Sequence, residues 1–121
     1  MKENITWVTR GVLVTLSEQL DGDELFQVNE KVYGDSRFDN LRYQLWDLTK
    51  VTEFNVNIED MIKIAAHDKA AALSNSSLKV AIVVTEEMAQ TLLNLYQAEM
   101  VTSSWETEIF NSMDEAQQWV L

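Results

Sequence analysis

Cysteine and proline are both absent from this chain of 121 residues, and glycine occurs only at Gly11, Gly22 and Gly34. Without cysteine there is no disulfide, no thiolate metal site and no thiol nucleophile. Composition therefore says nothing about a redox compartment. Without proline, and with so little glycine, no linker or low-complexity tract is written into the chain, and no internal repeat is found. A single domain over residues 1–121 is expected, a length that suits one hydrophobic core. Histidine is scarce as well, His67 standing alone. One imidazole cannot build a zinc site unless several carboxylates converge on it.

Long apolar runs are also missing, and none approaches the roughly 18 residues of a membrane span. The start, Met1-Lys2-Glu3-Asn4, leads into a short mixed segment and not into the apolar core of a signal peptide. A cytoplasmic protein is expected. Positive charge is in short supply: nine basic residues stand against 20 acidic ones, a net charge of −11. A surface this negative repels phosphate backbones and anionic lipid heads, so neither nucleic acid nor membrane is expected as a partner. The same charge favours solubility.

What is present is an apolar content of 46%, enough for a packed core. Ile5 to Val8 and Val12 to Leu16 read as strands around a Thr9-Arg10-Gly11 turn, with Val12, Val14 and Leu16 on one face. Asp21 caps a helix to about Tyr33, its first turn carrying Asp23 and Glu24, and Gly34 stands where a left-handed C-terminal cap is wanted. Leu41 to Leu48 reads as a third strand, Thr49 to Val56 as a polar loop. Asn57 caps a second helix whose buried face is expected to hold Ile58, Met61, Ile62, Ala65, Ala66 and Leu73. Leu78 to Val84 is apolar throughout, as a central strand covered on both sides should be. Thr85 starts a third helix, Trp105 to Phe110 is a fifth strand, and Ser112 with Glu115 forms a capping box for a last helix. Helices between the later strands imply right-handed crossovers. The fold class is α/β, a five-stranded mostly parallel sheet with one antiparallel edge strand and four helices.

This order, with these words in it, resembles the small SpoIIAA-like domains of the STAS type, which are related in fold to CRAL-TRIO lipid-binding domains. The residues that carry the likeness span nearly the whole chain. They are Leu20-Asp21-Gly22-Asp23-Glu24-Leu25, Asp35-Ser36-Arg37-Phe38, and Leu45-Trp46-Asp47-Leu48-Thr49-Lys50-Val51. Two further matches are Lys79-Val80-Ala81-Ile82-Val83 and the ending Ile109-Phe110, Glu115-Ala116, Trp119-Val120. In anti-sigma-factor antagonists of this fold a serine at the start of the second helix takes a phosphate, which changes partner binding through about two added negative charges. Here Asp47-Leu48-Thr49 matches the first part of that pattern, but Asn55-Val56-Asn57 stands where the serine would be. Neither Val56 nor Asn57 accepts a phosphate. Thr49 and Thr52 keep hydroxyls well before the helix.

Asp47 at the carboxyl end of a strand is placed where open sheets bind ligands, or else it accepts bonds from the amides that follow. Asp47, Thr49, Asn55 and Asn57 form the candidate ligand or partner loop. Asp60, Lys63 and His67 share a helical stripe, which reads either as an acid–base group or as a solvated face with an ion pair. Asp21-Gly22-Asp23 has one glycine among acids that repel phosphate, and no glutamate at calcium-loop spacing. No serine sits in a Gly-x-Ser-x-Gly elbow. No catalytic set, metal site or cofactor is therefore expected, and the protein is not expected to be an enzyme. Leu92, Leu93, Leu95 and Tyr96 give the third helix a wide apolar face, the candidate interface of a homodimer. The first functional expectation is a non-enzymatic protein-interaction or regulatory module with a protein partner. The alternative is a carrier of a small apolar, lipid-like ligand held between helix and sheet near Trp46 or Trp105.

Overall fold

Alternation of apolar and polar residues in the first twenty positions builds an antiparallel pair, β1 (Lys2–Val8) and β2 (Gly11–Asp21), joined by Thr9 and Arg10. The computed structural model describes residues 1–121. The left-handed residue of the turn is Arg10, at φ 62°, and not Gly11. Gly11 is required for another reason. A Cβ there would stand 2.2 Å from the Tyr43 ring, which packs flat against its backbone.

After β2 the chain alternates helix and strand: α1 (Gly22–Tyr33), β3 (Tyr43–Asn55), α2 (Ile58–Ala71), β4 (Lys79–Val83), α3 (Glu87–Met100), β5 (Glu106–Phe110) and α4 (Met113–Val120). A short 3-10 turn, Ser36–Asn40, precedes β3. The strands lie in sequence order, β1-β2 antiparallel and the rest parallel. This is the α/β sheet read from the sequence. Right-handed crossovers that always step to the next strand place α1, α2 and α3 on one face. The larger core fills that face, with Val14, Leu16, Trp46 and Ile82 of the sheet under Val28, Ile64 and Leu93 of the helices. α4 covers the other face over Leu45, Ala81 and Val83. β4 is buried on both sides, as its apolar run requires.

Several local expectations are corrected. Thr49 to Val56 is not a loop, because β3 continues to Asn55 and β2 to Asp21, paired along their length. Two register irregularities, near Thr15/Ser17 and Glu18/Gln19, break the alternation, and Glu18 sits at φ 67°. Gly34 closes α1 in right-handed conformation, φ −79° and ψ −8°, through its amide on Glu30 O at 2.8 Å. α3 starts one residue late, with Glu86 as cap accepting from Ala89 N. Ser112 accepts from Glu115 N, so one half of the expected capping box is present. The buried stripe of α2 is Met61, Ile64, Ala65 and Asp68, whereas Ile58, Ile62, Ala66 and Leu73 are exposed.

Candidate functional site

All four helices follow the carboxyl end of a parallel strand, so all four begin at one pole of the molecule. Each helix start favours negative charge, and each carries acids in its first turn: Asp23 and Glu24, Glu59 and Asp60, Glu87, Asp114 and Glu115. The opposite pole holds Lys31 and Lys69 in the last turns of α1 and α2, with Arg42 and Lys79 at strand starts. The capping chemistry of the fold therefore concentrates acids at the pole of the helix starts, whereas basic and acidic side chains are mixed at the other, Lys69 pairing with Glu99 and Lys79 standing opposite Glu106.

Two of the candidate residues lie at the acidic pole. Asn57 caps α2, its side-chain oxygen accepting from Asp60 N at 2.8 Å while Asp60 Oδ2 accepts from Asn57 N at 3.0 Å. Gly22 at the start of α1 gives room for this arrangement, since a Cβ there would collide with the Asp60 carboxyl group at 2.2 Å. Asn55 is the exposed last residue of β3, opposite Asp21. Asp47 and Thr49 do not join them. Asp47 lies within the sheet between Thr15 and Val83, and its Oδ1 accepts from the Thr49 amide at 2.9 Å and hydroxyl at 2.6 Å. Along an extended strand Thr49 and Asn55 are about 20 Å apart, so the four residues form no common site.

Beside Asn57 the pole exposes apolar side chains. Ile58 is 58% and Met88 62% exposed, in the first turns of α2 and α3, and Ile62 follows one turn below Ile58.

A second cluster, not foreseen from the sequence, lies inside the helical face. Asp68 of α2 is buried and binds α1 and α3 together. Its Oδ1 accepts from Asn29 Nδ2 at 2.7 Å and from the Tyr33 hydroxyl, and its Oδ2 from the Tyr96 hydroxyl at 2.5 Å. Burial pushes the Asp68 carboxyl up to about 6, against the pull of these three donors. Burial raises both tyrosines well above their usual range, and the Asp68 charge adds to it. Trp46 donates to Gln44 Oε1 at 2.8 Å. Gln44 Nε2, on the side near Tyr33, has no acceptor of ordinary geometry. A cavity of about 40 Å³ lies beside this cluster, lined by Leu25, Gln44, Trp46, Ile64, Asp68 and Leu93 among others.

His67 is also placed differently from the solvated stripe read on Asp60, Lys63 and His67. Its ring stacks on Phe26 at 4.6 Å and meets the edge of Tyr33 at 5.0 Å, with Nδ1 buried and unpaired. Lys63 lies over the other aromatic of this stack, 4.5 Å from the Phe26 centroid. Asp35 and Arg37 form a surface pair, and the Arg37 bonds hold the Asp35 carboxyl at about 2.

The candidate dimer face on α3 loses half its residues to this core. Leu93 and Tyr96 are each 3% exposed, Leu93 against the cavity and Tyr96 on Asp68. Leu92 and Leu95 are half-buried. The wide apolar face is wide because it closes over both α2 and the sheet.

This architecture is the SpoIIAA-like α/β fold. Three solved structures share it over nearly their whole length. The anti-sigma factor antagonist SpoIIAA in its unphosphorylated form matches at a TM-score of 0.64 and 10% identity, over 97% of this chain and 94% of that one. An anti-sigma factor antagonist from Mycobacterium paratuberculosis matches at 0.61 and 14%, over 98% and 92%. An uncharacterized protein of the DUF3478 family with a SpoIIAA-like fold, from Shewanella loihica PV-4, matches at 0.57 and 12%, over 99% and 93%. Identities this low establish the fold alone. No protein-family model and no curated protein matches the chain. No helix is long and apolar enough to cross a membrane.

Proposed function

We propose that this chain is a non-enzymatic protein-interaction module of the regulatory kind, and that its working surface is the acidic pole around Asn55, Asn57, Ile58 and Met88. The observation that carries the reading is the exposure of Ile58 and Met88 in the first turns of two adjacent helices, where the surrounding residues are acids. Apolar groups rimmed by charge suit a protein partner. Two of the structures with this fold are anti-sigma factor antagonists, which supports a regulatory role. Asn57 offers no hydroxyl, and its carboxamide is committed to the helix cap. Binding at this pole is therefore constitutive, without a phosphate switch at the helix start.

The cavity beside Trp46 argues against the carrier reading. About 40 Å³ suits water, whereas a cavity that takes benzene measures about 150 Å³. Gln44 Nε2 supplies a donor for such a water. A homodimer through α3 is not part of the reading, because Leu93 and Tyr96 are core residues.

The test is affinity purification from the source cell with the wild type and with the double variant Ile58→Glu, Met88→Glu. One protein retained in stoichiometric amount by the wild type and lost by the variant, with unchanged circular dichroism, is the expected result. Identical recovery with both proteins, or release of the partner when Thr49 or Thr52 gains a phosphate, contradicts it.

A further inference from the structure

The β2–β3 ribbon outruns the sheet. β4 stops pairing at Asp47 opposite Val83, but β3 continues from Leu48 to Asn55 against β2 alone. This overhang spans about 25 Å at the rise of a strand. No main-chain group of residues 48–55 bonds to another main-chain group outside its own strand ladder. Within this stretch the Thr49 amide donates to Asp47 Oδ1, and no other side chain bonds to the main chain of residues 48–55, so the side turned away from β2 presents open amide and carbonyl groups beyond Thr49, a template for one more strand. A small pocket of about 20 Å³ lies beside it, lined by Leu48, Val51, Phe54, Val84, Glu86 and Ala89 among others. Glu53 lies on the ribbon itself and Glu87 opens α3. Lys50 is the one basic residue of the overhang.

We propose that residues 48–55 of β3 are an acceptor edge for an extended, positively charged segment of a partner protein, which adds to the sheet as a strand. Main-chain bonds to the open edge would hold such a segment. Alternate apolar side chains of the segment would lie over the half-buried Val51 and Phe54. Basic side chains face Glu53, Glu86 and Glu87 and the acidic first turns around them. A second copy of this chain is disfavoured, because pairing two such edges brings like charge against like charge. The inference rests on the interaction reading above and names the chemistry of the partner.

The probe is an amidated peptide of alternating lysine and valine, long enough to span the edge, titrated against the isotope-labelled protein while amide shifts are followed. Shifts are expected at residues 48–55 and 84–89. A central proline in the peptide, which removes an amide donor, should weaken binding roughly tenfold or more. Glutamate in place of lysine should abolish it. On the protein side, Thr52→Pro is suitable, since residue 52 has no register partner on β2 and lies at an irregular position of the ladder, where proline is tolerated while an amide donor is removed. It should weaken the peptide while leaving the dispersion of the spectrum intact. Equal binding of the proline peptide shows charge attraction only and overturns strand addition. So does a concentration-dependent dimer protected at 48–55 without peptide. Shifts confined to the starts of α2 and α3 overturn the acceptor edge and leave the interaction surface standing. No shift anywhere at this pole counts against both.

Discussion

Asp68 is the residue whose environment departs furthest from its chemistry. A carboxylate inside an apolar layer is tolerated here because Asn29, Tyr33 and Tyr96 supply donors to both of its oxygens. Its folded pKa, about 6, lies above the unfolded value of 3.8. The folded state therefore holds the proton more tightly. The stabilisation is fully present below pH 3.8 and is lost as pH rises through 6. Compared with Asp68→Asn, the wild type should gain about 2 kcal/mol of stability between pH 7 and pH 4, measured by urea unfolding at both values. A parallel pH dependence in the two proteins would show that Asp68 is not the group concerned. Leu93 permits a sharper distinction. As a contact residue on a dimer face, Leu93→Glu would give a folded monomer. As a core residue it should unfold the chain, and Leu93→Ala should cost about 2–5 kcal/mol. Loss of the near-ultraviolet dichroism in Leu93→Glu decides between them. The buried network was hidden in the sequence for a physical reason. Asp68 continues the stripe of Met61, Ile64 and Ala65, and an acid in that stripe argues for turning the helix by one residue, which brings Ile58 and Ile62 inward instead. Only the polar tips of Tyr33 and Tyr96 on facing helices mark the correct phase, and the sequence does not show that they face each other.

The elements whose boundaries rest on capping chemistry were the most legible. Asp21 with Glu24 and Asn57 with Asp60 each form the reciprocal cap that starts a helix. Asn57→Ala should cost about 1 kcal/mol through the lost cap. Gly22→Ala should cost a similar amount, because the new methyl group displaces Asp60 from its bond to Asn57 N. Combining the two should cost less than the sum of the single losses, since both act on one cap. Additive losses in thermal unfolding would mean that the two helix starts are independent. The overhang of β3 was not legible. Val51 and Phe54 both point into the core although three positions separate them, because the extra residue near Thr52 breaks the two-residue period. Polar residues between them then read as a loop. β4 and the helical crossovers kept an unbroken period, which is why the order of the sheet was read correctly while the length of its third strand was not.

At the scale of the whole molecule, parallel topology turns local capping into a global property. Every helix starts at one pole, every start favours acids, and the pole becomes negative. The same pole carries Ile58 and Met88, the small pocket and the open edge of β3. A partner drawn by this charge should associate more slowly as salt is raised, with little change in dissociation. Kinetics in which only the dissociation rate responds to salt would place the contact elsewhere. The central claim is that this pole is the binding surface. Hydrogen exchange of the chain, alone and with its copurified partner, tests that claim most directly. Slowed exchange in residues 48–62 and 84–89, with the opposite pole unchanged, is the predicted result. Protection centred on the carboxyl ends of α2 and α3, around Leu73 and Val101, would contradict it.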